Sequence, residues 1–209
     1  MSNFEPRIDI EESWNHVEKR IKKVLDNLEC LPNTHLSSED NIMIYTDIYN
    51  MGFMHNSFVY DKYKEVIYDY IISTVLPSLE GKKDEVLLRE LLRRWSNHKT
   101  MTNCLAKFFL HLELKYIPRT ILPSLEETSF LSFYHLVYDR LHTQVTDAIL
   151  AMIDRKLVGD AIDGTLVNNI LVFYSEIGEK TRKEEPKQFA ETMMMKANET
   201  FYMHVEASD

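Results

Sequence analysis

Apolar residues recur every three or four positions in one segment after another, and this spacing is the feature that most constrains the fold. In the first such segment they are Ile10, Trp14, Val17, Ile21 and Val24. This spacing places them on one side of an α-helix, which turns once every 3.6 residues. The same spacing returns in seven later segments bounded by glycine, proline or capping residues. The sequence therefore predicts eight helices.

Scarce glycine supports the same fold class. The chain has five glycines in 209 residues, whereas sandwiches and doubly wound sheets use glycine in their turns and phosphate loops. Helices joined by short loops need little glycine. The length and the 44% hydrophobic content suffice to bury a core. The predicted class is all-α.

Two packing units are predicted. The stretch PRTILPS at residues 118–124 holds two prolines and marks the expected boundary. Five helices before it would form a first bundle over residues 1–120. Residues 121–209 would begin a second bundle with one long helix and two shorter ones.

Three glycines and two polar positions set the expected helix limits. Ser124 would cap the long helix of about thirty residues, and Gly159 would end it. Gly52 and Gly178 are the expected ends of the second and seventh helices, and the fifth helix would begin near Asn97.

Charge and cysteine usage exclude several function classes. The formal net charge of -9 and the isoelectric point near 5.4 argue against binding of nucleic acid or an anionic membrane, which requires clustered Lys and Arg. Cys30 and Cys104 provide neither a disulfide framework nor a four-ligand zinc set. No signal peptide and no apolar run of about 20 residues is visible. We expect a protein of the cytoplasm and nucleus.

No catalytic site is predicted. The histidine pairs that could suggest one are His135 with His142, His98 with Cys104, and His111 with Glu113. Their separations of seven, six and two residues do not match adjacent metal ligands or a nucleophile with its base on one helix. Phosphate loops, nucleophile elbows, CxxC pairs and EF-hand loops are also absent from the sequence. We expect no enzyme activity, no metal, no cofactor and no small-molecule substrate.

The stretch DNIMIYTDIYNM at residues 40–51 has apolar residues on two sides of its predicted helix. Ile44, Ile48 and Met51 share one side, and Ile42, Tyr45 and Tyr49 share an adjoining side. A helix at the edge of a small domain needs only one apolar side for its core. The second side is either packed inside or kept for a protein partner.

Five collinear blocks resemble the amino-terminal region of a cullin. They are IDIEESWNHVEKRIKKVL, IMIYTDIYNM, YDKYKEVIYDYIISTVLPSL, LLRELLRRWSNHKTM and VTDAILAMIDRKLVGDAI. The similarity is strongest to SCF-type cullins, particularly the plant forms. It implies an elongated stalk of cullin repeats, each a five-helix bundle, with one complete repeat and part of a second in this chain. It also implies a non-catalytic subunit of a ubiquitin ligase.

The resemblance further implies a partner. In SCF-type cullins an adaptor of the Skp type, which carries an F-box protein, docks on helices two and five of the first repeat. The matching positions are Asn41, Ile42, Tyr45, Thr46, Ile48, Tyr49, Met101, Leu105, Phe108 and Phe109. Ile44, Met51, Leu105 and one of the two phenylalanines are also expected in the core. The region that binds the RING-box protein and carries the neddylation mark has no counterpart here.

Three departures from the family pattern leave alternatives open. Asn41 stands where SCF-type cullins have an aromatic residue, the connection between Gly52 and Tyr60 is short, and EKTRKEEPKQFAE replaces an acidic YEEDFE segment. The chain is therefore interpreted as an adaptor-binding scaffold fragment, as a competitive decoy for adaptors, or as a decayed paralogue that binds none.

Overall fold

The computed structural model describes residues 10–30 and 37–206, without the side chains of residues 157 and 197–206. Its α-helices are α1 (Ile10–Leu28), α2 (Ser38–Tyr70), α3 (Leu76–Leu79), α4 (Asp84–Phe108), α5 (Leu125–Phe133), α6 (Asp139–Leu157), α7 (Gly164–Thr181) and α8 (Glu184–Glu206). Short π-helical segments cover Ile71–Val75, Leu112–Tyr116 and Tyr134–Tyr138, and a 3-10 turn covers Ile117–Arg119. The described ranges contain no strand, which confirms the all-α prediction.

Two compact units make up the described chain. The first contains the residues up to Tyr70 together with Lys99–Thr128, and the second contains Ile71–His98 together with the residues from Ser129 onward. Each unit is thus built from two separate stretches of sequence, and α4 contributes to both. The domain boundary expected from the two prolines of residues 118–124 stays a prediction.

Aromatic residues organise the core of the first unit. Phe109 lies 6.4 Å from Trp14 of α1 and 5.1 Å from Tyr63 of α2, measured between ring centroids. The Tyr63 hydroxyl donates a hydrogen bond of 2.7 Å to the carbonyl oxygen of Leu125. All three rings are buried, so they hold α1, α2 and the residues that follow α4 around one centre.

Trp95 organises the second unit. Its indole ring lies 5.2 to 5.3 Å from the rings of Phe130, Phe133 and Phe173. Its Nε1 donates a hydrogen bond of 2.7 Å to Glu176, so the polar atom of a buried indole is satisfied. α4, α5 and α7 therefore meet at a single residue.

Two of the helix limits predicted before residue 120 are wrong. The second helix does not end at Gly52, which is buried inside α2, and the helical geometry breaks only at His55, with φ -136° and ψ 49°. The fifth helix does not begin near Asn97, because α4 runs unbroken from Asp84 to Phe108. No glycine or proline lies between these two ends, and the polar stretch around Asn97 is compatible with a helix.

The predicted long helix is confirmed in its limits. Ser124 caps it by accepting a hydrogen bond of 3.0 Å from the backbone N–H of Glu127, and helical structure continues to Leu157. Gly159 follows with a φ of 91°, a value that favours glycine. The expected end at Gly178 is wrong, since α7 continues to Thr181.

A candidate adaptor-binding surface

The exposed side of α2 carries the aromatic residues that the sequence analysis assigned to a partner. Ile42, Tyr45 and Tyr49 are 66%, 38% and 46% exposed. The two tyrosine rings stack with centroids 6.1 Å apart and planes 26° apart. Asn41 lies one turn before Tyr45, and Phe53 lies one turn after Tyr49. We call Asn41, Ile42, Tyr45, Tyr49 and Phe53 the outer α2 stripe.

The opposite side of α2 belongs to the core. Ile44 and Ile48 are fully buried and Met51 nearly so, which confirms the expectation that Ile44 and Met51 are core residues. Ile48, although one of the candidate binding residues, points to this inner side. An ion pair of 2.6 Å between Arg20 of α1 and Asp47 helps to fix which side of α2 faces inward.

The candidate residues from helix five are all buried. Met101, Leu105 and Phe109 are fully buried, and Phe108 is 5% exposed. Their burial confirms the expectation that Leu105 and at least one of the two phenylalanines are core residues. These four positions, which the family resemblance assigned to the docking surface, therefore lie on the core side of the segment. The candidate residues that a partner can reach without rearrangement are Asn41, Ile42, Tyr45, Thr46 and Tyr49.

Several exposed apolar residues were missed by the sequence analysis. Phe53 and Met54 are 77% and 75% exposed and directly precede the break at His55. Leu110 and Leu114, four residues apart after α4, are exposed as well. Phe53 continues the spacing of Tyr45 and Tyr49. This spacing is a signal for Phe53 that the sequence contains, but it is lost when Gly52 is taken as the end of the helix.

His111 joins the outer α2 stripe to the segment that follows α4. Its ring meets Tyr49 edge-on, with centroids 5.9 Å apart and an angle of 76°. The imidazole is buried, and burial lowers its pKa below the ordinary value. The ring also occupies the space beside Gly52 where any other residue would place its Cβ.

The histidine pairs of the sequence analysis do not form a site. His135 is exposed, and its Nδ1 lies 3.1 Å from Oδ2 of Asp139. The Nδ1 of His142 instead lies 3.2 Å from the Tyr174 hydroxyl. Glu113 accepts a hydrogen bond from the backbone of Leu125. Burial raises the pKa of the Cys104 thiol, which disfavours the reactive thiolate. Among the described residues there is no group of three or more side chains suited to a metal ion.

No helix in the described ranges is both long enough and apolar enough to cross a membrane.

Comparison with known proteins identifies the family. The model of the cullin alpha solenoid domain matches residues 14–208. The chain is 42% identical to Cullin-1 of Oryza sativa subsp. japonica over 176 residues, which are 82% of this chain and 24% of that protein. It is 36% identical to Putative cullin-like protein 2 of Arabidopsis thaliana over 201 residues, which are 94% of this chain and 54% of that protein.

A shorter relative is matched over most of its length. Cullin-like protein 3 of Arabidopsis thaliana is 32% identical over 196 residues, which are 93% of this chain and 76% of that protein. By contrast, the chain spans about a quarter of Cullin-1 and about half of Putative cullin-like protein 2. The match of the family model over nearly the whole chain, together with these relatives, shows that the chain belongs to the cullin family.

Proposed function

We propose that the chain is a non-catalytic scaffold of the cullin type that binds a Skp-type adaptor, and through it an F-box protein, with the outer α2 stripe as the main contact. The observation that carries this proposal is the exposure of Ile42, Tyr45, Tyr49 and Phe53 on a helix whose other side is already packed. Large aromatic side chains that face water in a row are typical of protein interfaces.

The geometry of the stripe supports tight binding. Tyr45 and Tyr49 are stacked on each other, so little side-chain freedom remains to be lost when a partner covers them. Tyrosine is also one of the residues that most often dominate binding energy. Met101, Leu105, Phe108 and Phe109 support the surface from inside rather than contacting the adaptor.

Binding to a purified Skp-type adaptor, measured by isothermal titration calorimetry, tests the proposal. We expect a complex of one chain with one adaptor, and we expect Tyr45→Ala and Tyr49→Ala each to weaken it by more than about tenfold. Tyr68→Ala is the matched control, because Tyr68 is exposed on the same helix beyond the break at His55. It should leave the affinity unchanged.

Position 41 separates this proposal from the decayed-paralogue alternative. Asn41 is exposed one turn before Tyr45, so a tyrosine there would extend the row of rings. We expect Asn41→Tyr to strengthen adaptor binding roughly thirtyfold, which corresponds to ~2 kcal/mol. A folded chain that binds no adaptor at micromolar concentration, with or without Asn41→Tyr, would refute the proposal and favour decay.

A further inference from the structure

His111 is an unusual residue to find under an interaction surface. Its side chain is 6% exposed, and neither ring nitrogen has a hydrogen-bond partner among the described residues. Burying polar atoms without partners costs free energy. A leucine or phenylalanine would fill the same space without that cost. The imidazole therefore acts here through the space that it fills and not through hydrogen bonds to the described residues.

The imidazole contacts two residues on one face of α2. Tyr49 and Gly52 are three positions apart and therefore lie on the same face of the helix. The His111 and Tyr49 rings meet in a T-shaped arrangement. The Nε2 and Cε1 of His111 lie so close to Gly52 that a Cβ at position 52 would overlap them. The ring is thus wedged between the α2 backbone and a half-exposed tyrosine.

We infer that His111 is a positioning residue of the outer α2 stripe, holding the Tyr49 ring outward in its stack with Tyr45, and that glycine at position 52 is needed for this placement. The inference rests on the proposed function of the stripe. Tyr49 is 46% exposed, so its orientation is set by the few groups it touches. Two of these groups are the rings of Tyr45 and His111.

The volume of the His111 imidazole explains how this residue positions Tyr49. If the imidazole is removed, the Tyr49 ring can fall toward the space beside Gly52 and withdraw from the surface. A Cβ at position 52 would have a related effect, because it would push the imidazole out of its place. A flat ring without nitrogens would still fill the space between Gly52 and the Tyr49 ring. The contact with Tyr49 requires the shape of the ring and not its hydrogen bonding.

Four variants of the full chain test the inference: His111→Ala, His111→Phe, Gly52→Ala and the double variant Gly52→Ala/His111→Ala. Circular dichroism and thermal unfolding establish which of them fold. The orientation of Tyr49 is followed in the free chain by fluorine NMR after incorporation of 3-fluorotyrosine, with its resonance assigned by Tyr49→Phe. Adaptor affinity is measured on the same samples.

We expect His111→Ala and Gly52→Ala each to shift the Tyr49 resonance and to weaken adaptor binding about tenfold. His111→Phe should keep both the resonance and the affinity near the values of the unmodified chain. The double variant should match His111→Ala, since the added Cβ then has room and the two changes act through one contact.

Two results would overturn the inference. One is an unchanged Tyr49 resonance in folded His111→Ala. The other is a loss of affinity in His111→Phe as large as in His111→Ala, which would mean that the ring nitrogens themselves take part in binding. If the resonance moves as expected but the unmodified chain binds no adaptor, the positioning role holds and the proposed function fails.

Discussion

At the scale of single residues, His98 shows how burial controls a titrating group. Its Nε2 lies 3.1 Å from both the carbonyl oxygen and the hydroxyl of Ser129, inside the second unit. Burial lowers its pKa to about 4, against the opposing effect of the hydrogen bond with the Ser129 backbone. An exposed histidine of the unfolded chain has a pKa of about 6.5. The neutral ring is therefore the form that belongs to the folded protein.

The sign of the resulting pH dependence follows from these two pKa values. Well above pH 6.5 neither state binds a proton at His98, and the contribution of His98 to stability is complete. As the pH falls from about 6.5 toward 4, the unfolded chain takes up a proton that the folded chain does not bind, so the free energy of unfolding decreases.

We expect the decrease between pH 7 and pH 5 to be about 2 kcal/mol larger in the unmodified chain than in His98→Phe. Phenylalanine cannot be protonated, and it can occupy the space beside Trp95, Phe130 and Phe133 that the imidazole fills. Urea denaturation followed by circular dichroism at both pH values measures the difference. Equal decreases in the two proteins would contradict the expectation.

At the scale of helices, the end of α7 carries a conformational cost. Arg182 adopts a left-handed conformation with φ 57° and ψ 32°. Its backbone N–H bonds to the carbonyl of Glu179, and that of Lys183 bonds to the carbonyl of Gly178. This is the hydrogen-bond pattern of a Schellman motif, in which the left-handed position is usually glycine. A side chain at that position costs ~1–2 kcal/mol.

Arg182→Gly should therefore raise the free energy of unfolding by about 1 kcal/mol relative to Arg182→Ala. The alanine variant is the reference, because it removes the arginine side chain but keeps the Cβ that causes the strain. Thermal and urea unfolding of the two variants give the difference. A glycine variant no more stable than the alanine variant would show that the left-handed conformation carries no penalty here.

The same helices show what the sequence could and could not predict about the fold. Apolar spacing predicted the all-α class and the long helix from Ser124, because these depend on local pattern alone. A glycine in the sequence did not by itself indicate whether a helix ends there. Gly159 ends a helix with a positive φ, whereas Gly52 and Gly178 lie inside helices. Added Cβ atoms at these two positions would meet His111 and Lys187 respectively. A close approach between distant residues leaves no local sequence signal.

The candidate site likewise contains residues that local sequence pattern could place and residues that it could not. Tyr45 and Tyr49 could be assigned to the exposed side of α2, because one helix supplies both the core side and the outer side. The burial of Leu105 confirms its expected place in the core. The burial of Met101 could not be foreseen from likeness to a family motif, since a motif does not state which of its residues support a surface from within. The contact of His111 with Tyr49 joins residues 62 positions apart. It was therefore accessible only from the structure.

At the scale of the whole molecule, the first unit is not a contiguous piece of sequence. Tyr60 and Tyr63 of α2 donate hydrogen bonds to the backbone at Pro123 and Leu125, beyond residue 120, where the sequence analysis placed the end of the first repeat. A fragment cut at residue 120 would lose these bonds. In the same fragment, Trp95 within residues 71–98 would lose its ring contacts with Phe130, Phe133 and Phe173. Binding experiments therefore require the full 209-residue chain.

Competition for adaptors is the property expected of that full chain. If the outer α2 stripe binds a Skp-type adaptor as SCF-type cullins do, the chain and such a cullin cannot occupy one adaptor together. We expect added chain to displace a fluorescently labelled adaptor from an SCF-type cullin. The chain concentration at half-displacement, after correction for the cullin present, should equal the dissociation constant of the chain for the adaptor. Tyr45→Ala/Tyr49→Ala should require at least about tenfold more protein, and Tyr68→Ala should behave like the unmodified chain.

The competition also distinguishes a shared binding site from binding elsewhere on the adaptor. Displacement that saturates, with no complex containing all three proteins in size-exclusion chromatography, would indicate one shared site. The excess of chain over cullin has to be scaled by the ratio of their two dissociation constants, because Asn41 is expected to weaken adaptor binding by the chain. A chain that binds the adaptor directly but leaves the cullin in place at about fifty times that ratio, on the order of what near-complete competition needs, would contradict the expectation. The two proteins would then occupy different surfaces of the adaptor, and the stacked tyrosines would serve a contact that SCF-type cullins do not make.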